Sequence, residues 1–168
     1  PIADAARIDN QGMEYWDLMD GGEYTNNGFS PTPYTPWEKE VMGWTSLTTL
    51  EDKAQTVTLK ADEARKIESE NSDEYIILHN IQDKDWHSGI AKLGHGMLIY
   101  RVNYGKSSVN MYDHVNDTPG KPGMTVVPAD GELFSSYTAK TKEERKRYRE
   151  SHKGDPFPGE KAVTELLE

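Results

Sequence analysis

The chain has 168 residues, 35% of them hydrophobic and 29% charged, a formal net charge of −10 at pH 7 and no cysteine. An acidic surface repels phosphate backbones, so nucleic acid is excluded as an expected partner. No apolar run approaches the roughly 18 residues that a membrane-spanning helix needs, and we expect no membrane span. The lack of cysteine excludes disulfides, thiol catalysis and cysteine-bound zinc.

A short helix is predicted after a glycine-rich, irregular N-terminal segment. Thr35 has the side chain of a helix cap, Pro36 suits the first helical position, and Glu38 completes a capping box. This pattern predicts a helix over about 37–42, ended by Gly43. After residue 45 the sequence changes to strand patterns, so we divide the chain into 1–45 and 46–168.

The second part is predicted to be rich in β-strands. Gln55–Lys60 alternates apolar and polar residues, which is typical of a half-buried strand. Tyr75–Leu78 is a continuous apolar run, typical of a buried strand. Met97–Val102 and Met124–Val127, both mainly apolar, are interpreted in the same way, and Leu133-Phe134 is a candidate fifth strand. Short strands separated by glycine and proline turns favour an antiparallel β-sandwich or barrel. The predicted fold class is therefore α+β, mainly β, with a β-sandwich-like module.

A charged segment lies near the C-terminus. Between Thr141 and His152, lysine and arginine alternate with glutamate. Such runs are usually solvated faces, so we expect a charged helical insertion at about 140–152, and the alternative is a binding patch for an acidic partner.

Histidine spacing argues against a zinc site within the chain. Zinc hydrolases of the H-E-x-x-H type need two histidines four residues apart on a helix, with a glutamate as general base. No two of the histidines have that spacing, and His79 and His87 could converge only through tertiary folding. We therefore predict no catalytic residue and no metal ligand in the chain. The five histidines are His79, His87, His95, His114 and His152.

Weaker binding signals remain. Asp17, Asp20 and Glu23 could hold calcium together with glycine carbonyls, although their spacing matches no EF-hand loop. His95, between two glycines, either contacts a ligand or stabilises a turn, and the turn is favoured. Trp86 is a candidate binding residue, with core packing as its favoured fate.

One segment has a more specific interpretation. Its sequence is W-D-L-M-D-G-G, a methionine between aromatic and turn-forming residues. A methionine in a tight turn beneath a zinc site is the methionine turn of metzincins, where the soft thioether packs under the histidine ligands without binding the ion. The segment comprises Trp16, Asp17, Leu18, Met19, Asp20, Gly21 and Gly22.

Together with blocks further along the chain, this segment resembles bacterial zinc metallopeptidases of the immune inhibitor A type, peptidase family M six. The family's H-E-x-x-H-x-x-G-x-x-D segment, which carries the zinc ligands and the general base, is absent here. His79 and Arg101 stand where the family often has glutamate and histidine. The matching blocks are Trp16–Gly22, Asn27–Pro31, Trp37–Trp44, Glu74–Leu78, Gly94–Tyr100, Pro128–Gly131 and Gly154–Gly159.

The resemblance implies a function for the parent protein. Residues 1–45 would be the end of the catalytic domain and 46–168 a β-rich module of a secreted or cell-surface bacterial zinc endopeptidase. Its zinc ligands would lie upstream, so the chain alone would be inactive, and its partners would be that upstream segment and a peptide or protein substrate. The alternative is a non-catalytic glycan- or peptide-binding β-sandwich module, with Trp86, Tyr104 and Tyr112 as contacts.

Overall fold

The computed structural model describes residues 10–68, 73–104, 116, 122–136 and 139–166. Their strands form one open sheet in the order β1-β2-β3-β4-β5. β1 runs parallel to β2, and every other neighbouring pair is antiparallel. The elements are helices α1 (Pro36–Val41) and α2 (Lys142–Ser151) and strands β1 (Thr48–Thr49), β2 (Ala64–Glu68), β3 (Tyr75–Ile81), β4 (Gly96–Val102) and β5 (Met124–Val127).

The β-rich α+β class is confirmed, but the finer prediction is not. The sheet is mixed rather than antiparallel, because β1 joins it in parallel. Within the described ranges no second sheet faces the first. Short helical turns and loops cover the sheet instead.

Three strands lie where apolar runs predict them, as β3, β4 and β5. The strand predicted at Gln55–Lys60 is wrong, since this segment is irregular and mostly exposed. Val57 and Leu59 follow the alternation, but they line a surface groove together with Leu78 and Met97 and pair with no strand. Leu133-Phe134 forms no strand either. An alternating apolar and polar sequence forms a strand only where a neighbouring strand is available for backbone hydrogen bonding.

Both helices begin at capping boxes. The Thr35 side chain accepts from the backbone N–H of Glu38, and Thr141 does the same with Glu144. Gly43, with φ +72°, follows α1 in the left-handed conformation that glycine tolerates best. Apart from Tyr148, α2 has no buried side chain, as expected of a solvated charged helix. The helix predictions are confirmed.

The sheet carries a larger and a smaller apolar cluster. Because side chains alternate across a strand, Ile77 on β3 and its partner Tyr100 on β4 lie on the same face. That face belongs to the larger cluster, which also includes Met13 and Trp16 from the N-terminal segment. The smaller cluster comprises Ile99, Ala129 and Phe157.

The N-terminal segment is joined to the sheet by hydrogen bonds. The Gly12 N–H donates to Thr125 Oγ1 at 3.0 Å, and the Val126 N–H donates to the Gly12 carbonyl at 2.9 Å. The Trp16 Nε1–H donates to Asp155 Oδ2 at 2.6 Å. Residues on both sides of the predicted boundary at 45/46 therefore share one core.

Among the described residues, no helix is both long and apolar enough to cross a membrane. Tyr112 and His114, named above as candidates, lie outside the described residues.

Candidate functional site

Two histidines distant in sequence meet one aspartate beside the sheet. His79 lies on β3, His87 lies in the 3₁₀ turn Asp85–Ser88, and Asp62 precedes β2. One ligand atom from each of the three lies within 4.8 Å of those of the other two. Both histidines are buried, at 1% and 5% exposure, while Asp62 is exposed. We call these three residues the DHH cluster.

Sheet register places His79. It pairs with Leu98 on β4 and with Ala64 on β2, and Tyr100 is its diagonal neighbour on the same face. The Tyr100 hydroxyl lies 3.0 Å from His79 Nδ1. On the other side, the backbone N–H of Asp62 donates to the Asn80 carbonyl at 2.8 Å, which fixes the aspartate beside the ring.

A single oxygen of Asp62 faces three nitrogens. Its Oδ1 lies 3.0 Å from His79 Nε2, 3.6 Å from His87 Nε2 and 3.5 Å from Lys39 Nζ. The His87 ring makes no hydrogen bond with any residue that the structure describes, and its 3.6 Å separation from Asp62 is longer than a hydrogen bond. The ring packs edge-on against His79 with centroids 5.4 Å apart.

The environment sets the protonation of the DHH cluster. Partial burial raises the pKa of Asp62, but the hydrogen bond from His79 and the charge of Lys39 outweigh it and lower the pKa to about 2. Burial lowers the pKa of His79, and burial with the neighbouring His79 lowers the pKa of His87 to about 4. At neutral pH the cluster therefore holds one carboxylate and two neutral imidazoles, the forms in which these groups bind metal ions.

A small opening leads to the DHH cluster. Its volume is about 50 Å³, and Gln82, Lys84 and Trp86 line it together with Asp62 and His87. A volume of this size holds one or two water molecules.

Trp86 is 79% exposed at this opening, so the expectation that it packs in the core is wrong. His95 lies elsewhere, exposed in an open groove of about 480 Å³ beside Leu93, Lys153 and Glu160. The structure therefore does not bring the two predicted binding residues to one site: Trp86 lies by the DHH cluster, and His95 lies next to the turn before β4.

The predicted methionine-turn segment does form a tight turn. The N–H groups of Asp20 and Gly22 donate to the Asp17 carbonyl at 3.2 and 2.8 Å. A Cβ on Gly22 would lie 2.4 Å from that carbonyl oxygen, so only glycine fits. Glycine is required at position 22 because the backbone of Asp17 lies so close, and not because the position has a positive φ. Trp16, 1% exposed, anchors the turn in the core.

Met19 lies outside the core at the tip of this turn. Its side chain is 76% exposed, while its N–H donates to Asp17 Oδ1 at 2.7 Å. The N–H of Glu14 donates to Asp20 Oδ2 at 2.7 Å. The carboxylates of Asp17 and Asp20, considered above for calcium, thus accept hydrogen bonds from backbone N–H groups. Within the described ranges, the group of side chains arranged to hold a metal ion is the DHH cluster.

Comparisons of the chain with protein families, curated proteins and solved structures give no significant match. The resemblance to immune inhibitor A peptidases therefore stays a prediction.

Nothing in the sequence alone identifies Asp62 as a candidate site residue. It lies 17 residues before His79 in sequence, and only the pairing of β2 with β3 brings them together. The sequence signal at this position is only an aspartate shortly before a strand. Aspartates at such positions are common in turns, so the signal does not indicate a site.

Proposed function

We propose that the chain is the part of a secreted bacterial zinc endopeptidase that follows its metal-binding helix. In this proposal a segment outside the 168 residues supplies the zinc ligands and the general base. The described residues supply the turn beneath the metal and the β-rich module next to the substrate cleft. Zinc would act there by activating water and polarising the peptide carbonyl.

The observation that carries the proposal is the contrast between Trp16 and Met19. The turn is fixed by the buried Trp16 and by backbone hydrogen bonds, yet it presents Met19 to solvent. A soft, unbranched apolar side chain on a rigid turn is suited to packing under another element. The proposed element is the metal-binding helix of the same protein.

Exposed apolar residues are frequent in the same part of the sequence. Scattered exposed apolar residues are normal in soluble proteins, but dense groups mark interaction sites. Six large exposed apolar side chains fall within residues 19–44, compared with five in the rest of the described chain. The six are Met19, Tyr24, Phe29, Val41, Met42 and Trp44.

The experiment compares the 168-residue chain with a longer protein that carries the preceding segment of its own gene. We expect the longer protein to hydrolyse casein, to lose that activity in EDTA and to regain it with Zn²⁺. Met19→Lys in the longer protein should lower the activity by at least about tenfold, because it places a charge in an apolar contact. The same change in the 168-residue chain should leave the thermal midpoint unchanged, since Met19 is exposed.

Leu133→Lys is the matched control, because Leu133 is also exposed, at 37%, but lies far along the chain from residues 19–44. Its activity should equal that of the wild type. The proposal fails if the preceding segment contains no H-E-x-x-H, or if the longer protein shows no zinc-dependent proteolysis.

Trp86 favours a second candidate function, a glycan- or peptide-binding module. A tryptophan that is 79% exposed beside a small opening offers an apolar face for a sugar ring or an aromatic side chain. Titration of the chain with mucin glycans and with a peptide library, followed by tryptophan fluorescence, tests this candidate. Binding that Trp86→Ala abolishes and Leu133→Ala preserves would support it, and flat titrations would rule it out.

A further inference from the structure

We propose that the DHH cluster binds one divalent transition-metal ion through Asp62, His79 and His87. This site is separate from the zinc of the proposed peptidase, whose ligands lie outside the chain, and the inference holds whether or not that function is correct. The ion class follows from the donors, since imidazole nitrogen with one carboxylate suits zinc, cobalt, iron and nickel rather than calcium or magnesium.

The distances fit such an ion. Ligand atoms about 2.1 Å from a tetrahedral ion lie roughly 3.4 Å from each other. The two contacts of Asp62 Oδ1 with histidine nitrogens, at 3.0 and 3.6 Å, bracket that separation. The remaining separation, between the two histidine nitrogens, is within 4.8 Å, so the rings must move closer together for both to bind one ion.

Within the DHH cluster, His87 is the residue with the fewest polar contacts. The His87 ring has no hydrogen-bond partner among the described residues, and it lines the small opening beside Trp86. Its nitrogen points within reach of the same carboxylate oxygen that His79 contacts. A shared ion would satisfy the His87 nitrogen and the Asp62 carboxylate at once.

Tyr100 orients the His79 ring. Without an ion, the Nε2–H of His79 donates to Asp62 and Nδ1 is the acceptor. With an ion at Nε2 the ring proton moves to Nδ1, where the Tyr100 hydroxyl, 3.0 Å away, accepts it. Histidine ligands of metals almost always have such a partner on their other nitrogen. Tyr100 is fully buried at 1% exposure, so this orientation is fixed by the core.

The site has three protein ligands and an opening. Structural zinc sites are closed by four protein ligands, whereas three leave a position for water or another small ligand. The opening of about 50 Å³ beside Trp86 and Lys84 supplies the space for it. The inferred site is thus an exchangeable one, open to solvent on the Asp62 side.

Lys39 competes with the ion. Its ammonium group lies 3.5 Å from Asp62 Oδ1 and balances the carboxylate when no ion is bound. A metal cation at the same oxygen is repelled by this charge and must displace it. Lys39→Gln should therefore tighten metal binding, and Lys39→Arg, which keeps the charge, should not.

The test measures Co²⁺ and Zn²⁺ binding to the purified 168-residue chain by visible absorption and calorimetry. We expect one ion per chain, a cobalt d–d band that Zn²⁺ removes, and no saturable binding of Mg²⁺ or Ca²⁺. Asp62→Asn, His79→Gln and His87→Gln should each weaken binding by at least about tenfold. Asp52→Asn, at an exposed aspartate in an irregular segment, is the matched control and should bind like the wild type.

If a histidine variant fails to fold, the Asp62→Asn variant still tests the proposal. The Asp62 side chain is exposed, so its replacement leaves the core intact. Absence of saturable Co²⁺ and Zn²⁺ binding by the wild type would overturn the inference. So would binding that Asp62→Asn leaves unchanged, because the ion would then lie at other residues.

Discussion

Buried carboxyl groups surround the turn segment. Burial raises the pKa of Glu14, Asp17 and Asp155 to about 7 in each case. Asp155 is 1% exposed and accepts hydrogen bonds from Trp16 Nε1 at 2.6 Å and Gln11 Nε2 at 2.7 Å. These bonds lower its pKa only in part, since desolvation of the charge is the larger effect.

The raised pKa of Asp155 predicts a loss of stability at higher pH. The folded chain holds the proton up to about pH 7, whereas the unfolded chain releases it near the ordinary value of 3.8. The protonated group stabilises the fold fully below that lower value, and this contribution is lost as pH rises through 7. Asp155→Asn keeps an oxygen acceptor for both donors but cannot ionise. Its free energy of unfolding should fall less than that of the wild type between pH 4 and pH 8, by on the order of 1–4 kcal/mol.

Denaturant unfolding of both proteins across this range measures the difference. The comparison with wild type matters because His87 and His152, whose pKa values are lowered to about 4 by burial, destabilise the fold as pH falls below 6.5. Asp52→Asn should follow the wild-type curve. Parallel curves for Asp155→Asn and wild type would show that Asp155 is ionised at neutral pH without cost.

At the scale of single elements, α2 depends on its cap more than on packing. Of its side chains only Tyr148 is buried, where the hydroxyl donates to Glu14 Oε2 at 2.5 Å. Thr141 accepts from the Glu144 N–H at 3.1 Å, and Glu144 Oε2 accepts from the Thr141 N–H at 2.7 Å. Helices of this length are marginal without such contacts.

Thr141→Ala should therefore lower the local stability of α2 by about 1 kcal/mol, because one helix N–H loses its acceptor. Amide hydrogen exchange within Lys142–Ser151 measures this change. Thr141→Ser keeps the hydroxyl and should show wild-type exchange. Equal exchange in Thr141→Ala and the wild type would mean that contacts of Tyr148 alone hold the helix.

Local signals predicted the helices and the buried strands, because caps and apolar runs act within a few residues. They missed β2, Ala64–Glu68, because its charged residues pack at the sheet surface and its strand character comes from pairing with β3. They also missed β1, whose two residues carry no pattern at all. The DHH cluster was out of reach for the same reason, since its three members meet only through the β2–β3 pairing and the turn after β3.

At the scale of the whole molecule, apolar exposure and charge are unevenly distributed. Residues 19–44 carry six of the eleven exposed large apolar side chains in the described part of the chain, and the net charge is −10. The charge opposes self-association, and exposed apolar side chains are candidate contacts for a specific partner. We propose that these side chains contact a metal-binding helix of the same protein and that the DHH cluster binds a separate ion.

The most direct test of the account is the rate of peptide hydrolysis by the 168-residue chain saturated with Zn²⁺, measured beside the longer protein. We expect the longer protein to cleave peptides and the 168-residue chain not to, even with an ion bound at Asp62. Zinc-dependent cleavage by the chain alone, abolished by Asp62→Asn, would contradict it, because the hydrolytic zinc would then lie within these residues.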